Sequence, residues 1–217
     1  MKLSLDYLIK KPEIKKDKNP LLLLLHGYGS NAEDLFSLTT ELPKHYYVIS
    51  AQAPFVLQPF GYSWYDLYFD ENGAKFSDDK QAIQSRELIV VFIDEILENF
   101  PIDKNDITLV GFSQGSILSY AIALSYPQKI KNVVALSGYL NQNLLQENYK
   151  NNDFSKLNFF VSHGTNDPII PIEAARKTVD FLNDLKIKNT YLEYQMMHEV
   201  SAKNFSDLKK FINQTTL

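Results

Sequence analysis

The sequence contains no cysteine, which excludes disulfide scaffolding, thiolate nucleophiles, thiolate metal sites and CxxC redox chemistry together. Its four histidines include no HxxxH pair, so a zinc site is not expected. Long hydrophobic runs are also absent. The longest aliphatic stretch, Leu21 to Leu25, falls far below the ~20 residues of a membrane span. In Met1–Tyr7, Asp6 interrupts what a secretory signal would keep apolar. Positive charge is scarce as well: 22 Lys and Arg face 26 Asp and Glu, a net charge of −4. That balance, without a basic run, argues against nucleic acid or an anionic membrane as partner. What remains is a chain of 217 residues, 45% hydrophobic and 22% charged. These proportions fit one globular domain over residues 1–217, soluble and cytoplasmic.

Short apolar runs alternate with stretches of helical period, the pattern of a mostly parallel sheet covered by helices on both faces. The strand candidates are Leu3–Ile9 at an edge, Leu21–Leu25, Tyr46–Ser50, Ile107–Phe112, Val133–Leu136, Phe159–Ser162 and Thr190–Tyr194. Helices are expected at Asp79–Asn99, Gln114–Ser125, Ile172–Leu185 and Val200–Ile212. Two segments break the rhythm. Ala53–Ser77 is crowded with Pro, Gly and aromatics and reads as a long loop over one end of the sheet. Tyr139–Asp153 is rich in Asn and Gln and reads as a surface excursion of low order.

Chemistry concentrates at Gly111-Phe112-Ser113-Gln114-Gly115. Between a strand and a helix, this G-x-S-x-G turn lifts a serine hydroxyl above the unpaired N–H groups of the helix N-terminus. A serine needs a base. His198 follows the last strand, whereas His26 and His163 each precede a glycine at a strand end and serve better as turn anchors; His45 sits in a surface context. The base needs an orienting carboxylate, and Asp167 stands in the rigid loop His163-Gly164-Thr165-Asn166-Asp167-Pro168. Asp180, Asp184 and Asp207 fall on amphipathic helices and read as solvated. The order Ser113, Asp167, His198 matches α/β hydrolases and differs from chymotrypsin and subtilisin. An oxyanion would be bound by the backbone N–H of Gln114 and by that of Tyr28, in the loop His26-Gly27-Tyr28-Gly29-Ser30. As main-chain donors these two should be largely blind to side-chain substitution.

Leu25-His26-Gly27-Tyr28-Gly29, Gly111-Phe112-Ser113-Gln114-Gly115, His163 through Pro171, and Met197-His198-Glu199 together resemble the phospholipase/carboxylesterase family of small α/β hydrolases. That family includes acyl-protein thioesterases and bacterial carboxylesterases. The resemblance implies an α/β-hydrolase fold without a large cap domain, a Ser113–His198–Asp167 triad, and oxyanion donors at Tyr28 and Gln114. Ser63-Trp64-Tyr65-Asp66 matches a family motif lining the acyl pocket, which implies Trp64 as a substrate contact. Tyr28 stands where many relatives carry leucine, and Ser116 where a second glycine often follows.

The expected activity is hydrolysis of carboxylic esters with short to medium acyl chains through an acyl-enzyme, a mechanism that requires neither a metal nor an organic cofactor. The rival within the class is an acyl-protein thioesterase or lysophospholipase acting on longer chains. The rival outside it is a hydrolase-fold binding protein without catalysis. The expected partner is a small ester or thioester, and the sequence leaves a homodimer open.

Overall fold

A computed structural model describes residues 3–69 and 75–214; Met1, Lys2 and residues 70–74 of the aromatic-rich segment lie outside the described residues, as do 215–217. In chain order the elements are β1 (Tyr7–Lys10), β2 (Asn19–Leu25), α1 (Ala32–Phe36), β3 (Tyr47–Ala51), β4 (Phe55–Val56), β5 (Tyr62–Ser63), β6 (Leu67–Phe69) and β7 (Lys75–Ser77). There follow α2 (Asp79–Asn99), β8 (Ile102–Phe112), α3 (Gln114–Ser125), β9 (Asn132–Leu136), β10 (Asn158–Gly164), α4 (Ile172–Asp184), β11 (Lys188–Tyr194) and α5 (Ala202–Gln214). Seven strands form the main sheet in the order β1-β3-β2-β8-β9-β10-β11. Only β1 runs antiparallel to its neighbour; the other pairings are parallel.

The leucine run explains itself in this setting. Every residue of β2 is buried, as expected for a central parallel strand covered on both faces. Leu21, Leu23 and Leu25 join the core beneath α2, α3 and α4, while Leu22 and Leu24 join the one beneath α1 and α5. A period of two thus feeds both layers from a single uninterrupted run. Strand β11, at the edge, alternates exposed and half-buried positions instead. Helix α2 starts where Asp78 caps it, accepting from the Gln81 N–H at 3.0 Å.

Two expectations need correction, and one helix lies outside them. The segment 53–77 carries two antiparallel hairpins, β4–β5 and β6–β7, rather than plain loop. The 139–153 segment is tied down, not loosely ordered. Leu144 is fully buried and Leu145 nearly so, Arg86 donates to the Leu144 carbonyl, and Asn152 Nδ2 donates to the Leu124 carbonyl at 3.0 Å. Its polar side chains complete backbone hydrogen bonds that water would otherwise satisfy. Helix α1 went unpredicted, although Asn31 caps it by accepting from the Glu33 N–H at 2.8 Å. None of the described helices is long and apolar enough to cross a membrane.

The tightest packing lies where α3 crosses the sheet. A Cβ at Gly115 would stand 2.0 Å from the Leu25 carbonyl oxygen, and one at Gly111 would stand 2.4 Å from the Gly115 oxygen. Gly115→Ala must therefore push the helix off β2. We expect it to lower stability by about 3 kcal/mol, at the upper end for overpacking, read as a drop in the urea unfolding midpoint with unchanged slope. A midpoint within error of the native one would contradict this account of the contact.

Candidate functional site

Four connections converge at the C-terminal ends of the parallel strands. The turn from β8 to α3 holds Ser113 at φ 52°, ψ −115°, a conformation that non-glycine residues adopt only under constraint. The constraint is visible on both sides: the Ser113 N–H donates to the Leu136 carbonyl at 2.9 Å, and its own carbonyl accepts from Ile117 at 3.0 Å. Ser113 Oγ lies 2.9 Å from His198 Nε2. His198 Nδ1 lies 2.7 Å from Asp167 Oδ2. The imidazole thus donates from Nδ1 to the carboxylate, leaving Nε2 to accept the serine proton. The three residues that the sequence nominated form one continuous hydrogen-bonded chain.

Asp167 is fully buried at its side chain. Its Oδ1 accepts from the backbone N–H groups of Ile169 at 2.8 Å and Ile170 at 3.0 Å. Burial pushes its pKa upward, but the His198 contact and these two N–H groups outweigh burial and hold the carboxyl below the ordinary aspartate value. His163 anchors the same turn, as expected: its Nε2 lies 2.8 Å from the Ile170 carbonyl oxygen and 3.2 Å from Asp167 Oδ2. His26 anchors the other turn, with Nδ1 2.8 Å from the Gly27 carbonyl oxygen. Its Nε2 accepts from the Ala53 N–H at 3.2 Å. Burial lowers the His26 pKa, so it stays neutral and holds one tautomer. Among the aspartates set aside, Asp180 and Asp184 are exposed. Asp207 is not simply solvated: Lys210 and Lys203 pull its pKa down to about 2.

Two clefts flank the serine–histidine pair. The larger, of about 480 Å³, is lined by Ser113, Gln114 and Tyr28 together with side chains from the 65–79 and 139–143 segments and the 169–174 turn. The smaller, of about 330 Å³, is lined by His198 and Phe112 with Asp34, Leu38 and Glu199. Among the described residues, no group accepts a hydrogen bond from the backbone N–H of Tyr28 or of Gln114. Both donors therefore remain free, on the groove that Ser113 also lines.

Against this geometry, residues 9–216 match the phospholipase/carboxylesterase family. The chain belongs to that family. Over 227 aligned residues it is 28% identical to acyl-protein thioesterase 1 of Emericella nidulans, covering 94% of this chain and 92% of that one. Among solved structures, esterase PE8 superposes with a TM-score of 0.83 at 25% identity, covering 99% of this chain and 100% of the other. The Bacillus cereus carboxylesterase superposes at 0.84 with 20% identity, over 97% and 94% of the two chains, and supports the α/β-hydrolase fold.

The motif around Trp64 requires a correction. Trp64 is fully buried and absent from the lining of either cleft. Its indole N–H donates to the His26 carbonyl at 2.9 Å, and its own carbonyl accepts from Ser85 Oγ. It braces the Gly27–Ser30 turn from beneath, whereas its neighbour Tyr65 lines the groove. Within that motif the residue facing the groove is Tyr65, one position after Trp64.

Gln114 also does more than offer its N–H. Its side-chain oxygen accepts from the Trp64 N–H at 2.8 Å, and its Nε2 donates to the Tyr65 carbonyl at 2.7 Å. The expectation of indifference to substitution therefore fails at this position. Gln114→Ala leaves two buried main-chain groups without partners, at about 1–3 kcal/mol each. It should raise KM for esters through a displaced Tyr65 wall more than it lowers kcat; equal loss in both would contradict the bracing role.

The Asp167 environment also sets a pH dependence. A carboxyl whose folded pKa lies below its unfolded value of ~3.9 contributes stability above that value. The contribution disappears as pH falls through the folded pKa. The stability gap between the native protein and Asp167→Asn should therefore be constant near neutrality and shrink as pH drops from about 5 towards 2. Urea titrations at a series of pH values would read it, and a gap independent of pH would refute the assignment.

Proposed function

We propose that this member of the family hydrolyses carboxylic esters of short to medium acyl chains through an acyl-enzyme, with Ser113 as nucleophile, His198 as general base and Asp167 orienting the imidazole. The observation that carries the proposal is the unbroken chain Asp167–His198–Ser113, at 2.7 and 2.9 Å, beside two unengaged N–H groups.

In this reading Ser113 Oγ attacks the ester carbonyl carbon as His198 Nε2 takes its proton. The carbonyl oxygen becomes an oxyanion held by the Tyr28 and Gln114 N–H groups. His198 then returns the proton to the departing alcohol, and the carbonyl is left bonded to Ser113. In the second half, His198 activates water against the acyl-serine and the acid is released. Proton delivery assigns the clefts. The leaving group must depart past His198, into the cleft that His198 lines; the acyl portion stays beside the two donors, in the groove of about 480 Å³.

That groove favours moderate acyl length. Leu67, Phe76, Ile117 and Ile170 supply apolar surface, but Asp79, Asn141 and Asn143 interrupt it. A long alkyl chain laid across these groups would dehydrate them without replacing their hydrogen bonds. The second reading, a thioesterase acting on longer acyl groups, draws on the acyl-protein thioesterase similarity over nearly the whole chain. The same triad would serve it.

Nitrophenyl esters of increasing acyl length, assayed with the native protein and Ser113→Ala, test both readings. The alanine variant should lose at least about 10³-fold in kcat, and the native rate should peak below long-chain length. An optimum at the longest chains would favour the second reading, and equal rates in the two proteins would refute Ser113 as nucleophile.

A further inference from the structure

One wall of the larger groove is built to hold something polar. Asp79 Oδ1 accepts from Ser77 Oγ at 2.7 Å and from Asn141 Nδ2 at 2.9 Å. Its Oδ2 accepts from Asn143 Nδ2 at 2.9 Å. A carboxylate offers about four acceptor positions, so one on Oδ2 remains. Facing the same cavity is Tyr65, a residue only 2% exposed. It lines the groove, and no described residue forms a hydrogen bond with its hydroxyl. Tyr139, half-buried, lines the groove beside it. Burial first, then the Asp79 charge, raises the pKa of Tyr139; burial, Tyr139 and Asp79 do the same for Tyr65. Both phenols therefore remain protonated donors across the physiological range.

The chemistry of this wall selects among ligands. A methylene can neither accept from a phenol nor donate to a carboxylate, so it dehydrates both without compensation. A carboxylate or phosphate would meet the Asp79 charge. An ammonium would pair with Asp79 but offers the phenols no lone pair. A hydroxyl does both, accepting from a tyrosine O–H while donating to Asp79.

We infer that Tyr65, Tyr139 and Asp79 form a subsite for a hydroxyl group on the acyl portion of the substrate. The preferred substrates are then esters of hydroxylated short- to medium-chain acids. This inference rests on the catalytic reading above, in which the acyl portion occupies this groove.

The test compares the nitrophenyl esters of hexanoic, 3-hydroxyhexanoic and 6-hydroxyhexanoic acid, which share one leaving group, so that only the acyl chain varies. In the native protein at least one hydroxylated ester should exceed the plain one in kcat/KM by about tenfold, the effect of one hydrogen bond to a buried or charged partner. Tyr65→Phe removes a single oxygen and should bring that ratio towards one; Tyr139→Phe, on a separate segment, is the independent check should the first variant fail to fold. Ratios near one in the native protein, or ratios unaltered in both variants, would overturn the subsite while leaving the hydrolase reading intact. Absence of any Ser113-dependent turnover across the three esters would instead overturn the hydrolase reading, and the acyl subsite with it.

Discussion

Helix α3 sits close against the centre of the sheet, and the turn at Ser113 follows from that approach. With no side chain at Gly115, the helix backbone comes so close to β2 that a Cβ there would lie 2.0 Å from a carbonyl oxygen. To enter a helix seated so low, the chain leaving β8 must reverse within one residue, and Ser113 absorbs the reversal at φ 52°. Such a conformation costs about 1–3 kcal/mol. The helix that imposes it is buried along all twelve residues, and side chains such as Leu118, Ile122 and Leu124 each contribute about 1.5–3 kcal/mol on burial. Two of them offset the strain. The conformation of the Ser113 turn is therefore held by the packing of α3 against the sheet.

The same geometry organises the surrounding loops. With α3 fixed, Gln114 presents its free N–H on one side and its side-chain amide on the other. The amide grips Trp64 and Tyr65. Trp64 in turn holds the His26 carbonyl, and His26, neutral and buried, fixes the main chain that carries Tyr28. The Asp167 turn is secured independently, by its own backbone N–H groups and by His163. Strands end at this face because the pairings are parallel, so every connection that follows them can be tied to its neighbour by main-chain hydrogen bonds.

Much of this was legible in the sequence, for identifiable reasons. Helices α2 and α3 matched the expected bounds because Asp78 caps one and the G-x-S-x-G turn starts the other. Leu21–Leu25 reads as a buried strand because its flanks, Pro20 and His26-Gly27, leave no room for a helix. Ser113, Asp167 and His198 could be named because each stands in a local context with few competitors, and the structure brings those three side chains together. Less legible were features set by contacts distant in sequence. The burial of Trp64 depends on His26 and Ser85. The order of the 139–153 segment depends on Arg86 and Leu124, so its Asn-rich composition misled. Helix α1 has a sound N-cap signal in Asn31, but five residues are too few for periodicity to register.

A division of labour follows from where these determinants lie. The groups placed to perform chemistry sit on elements whose positions are fixed by the central sheet, and substitutions there disturb packing as well as reactivity. Part of the groove wall comes from elsewhere: the β6–β7 hairpin, the start of α2 and the 139–143 segment, tied to one another by side-chain hydrogen bonds at Asp79. Asp79 illustrates the difference. It opens a helix whose cap is the preceding residue, and the donors to its carboxylate come from Ser77, Asn141 and Asn143. Among the described residues no hydrogen bond links that network to the Asp167–His198–Ser113 chain, so a change at any of these leaves the Ser113 turn in place. The groove wall and the serine turn are therefore secured by separate sets of contacts, and one can vary in sequence without disturbing the other.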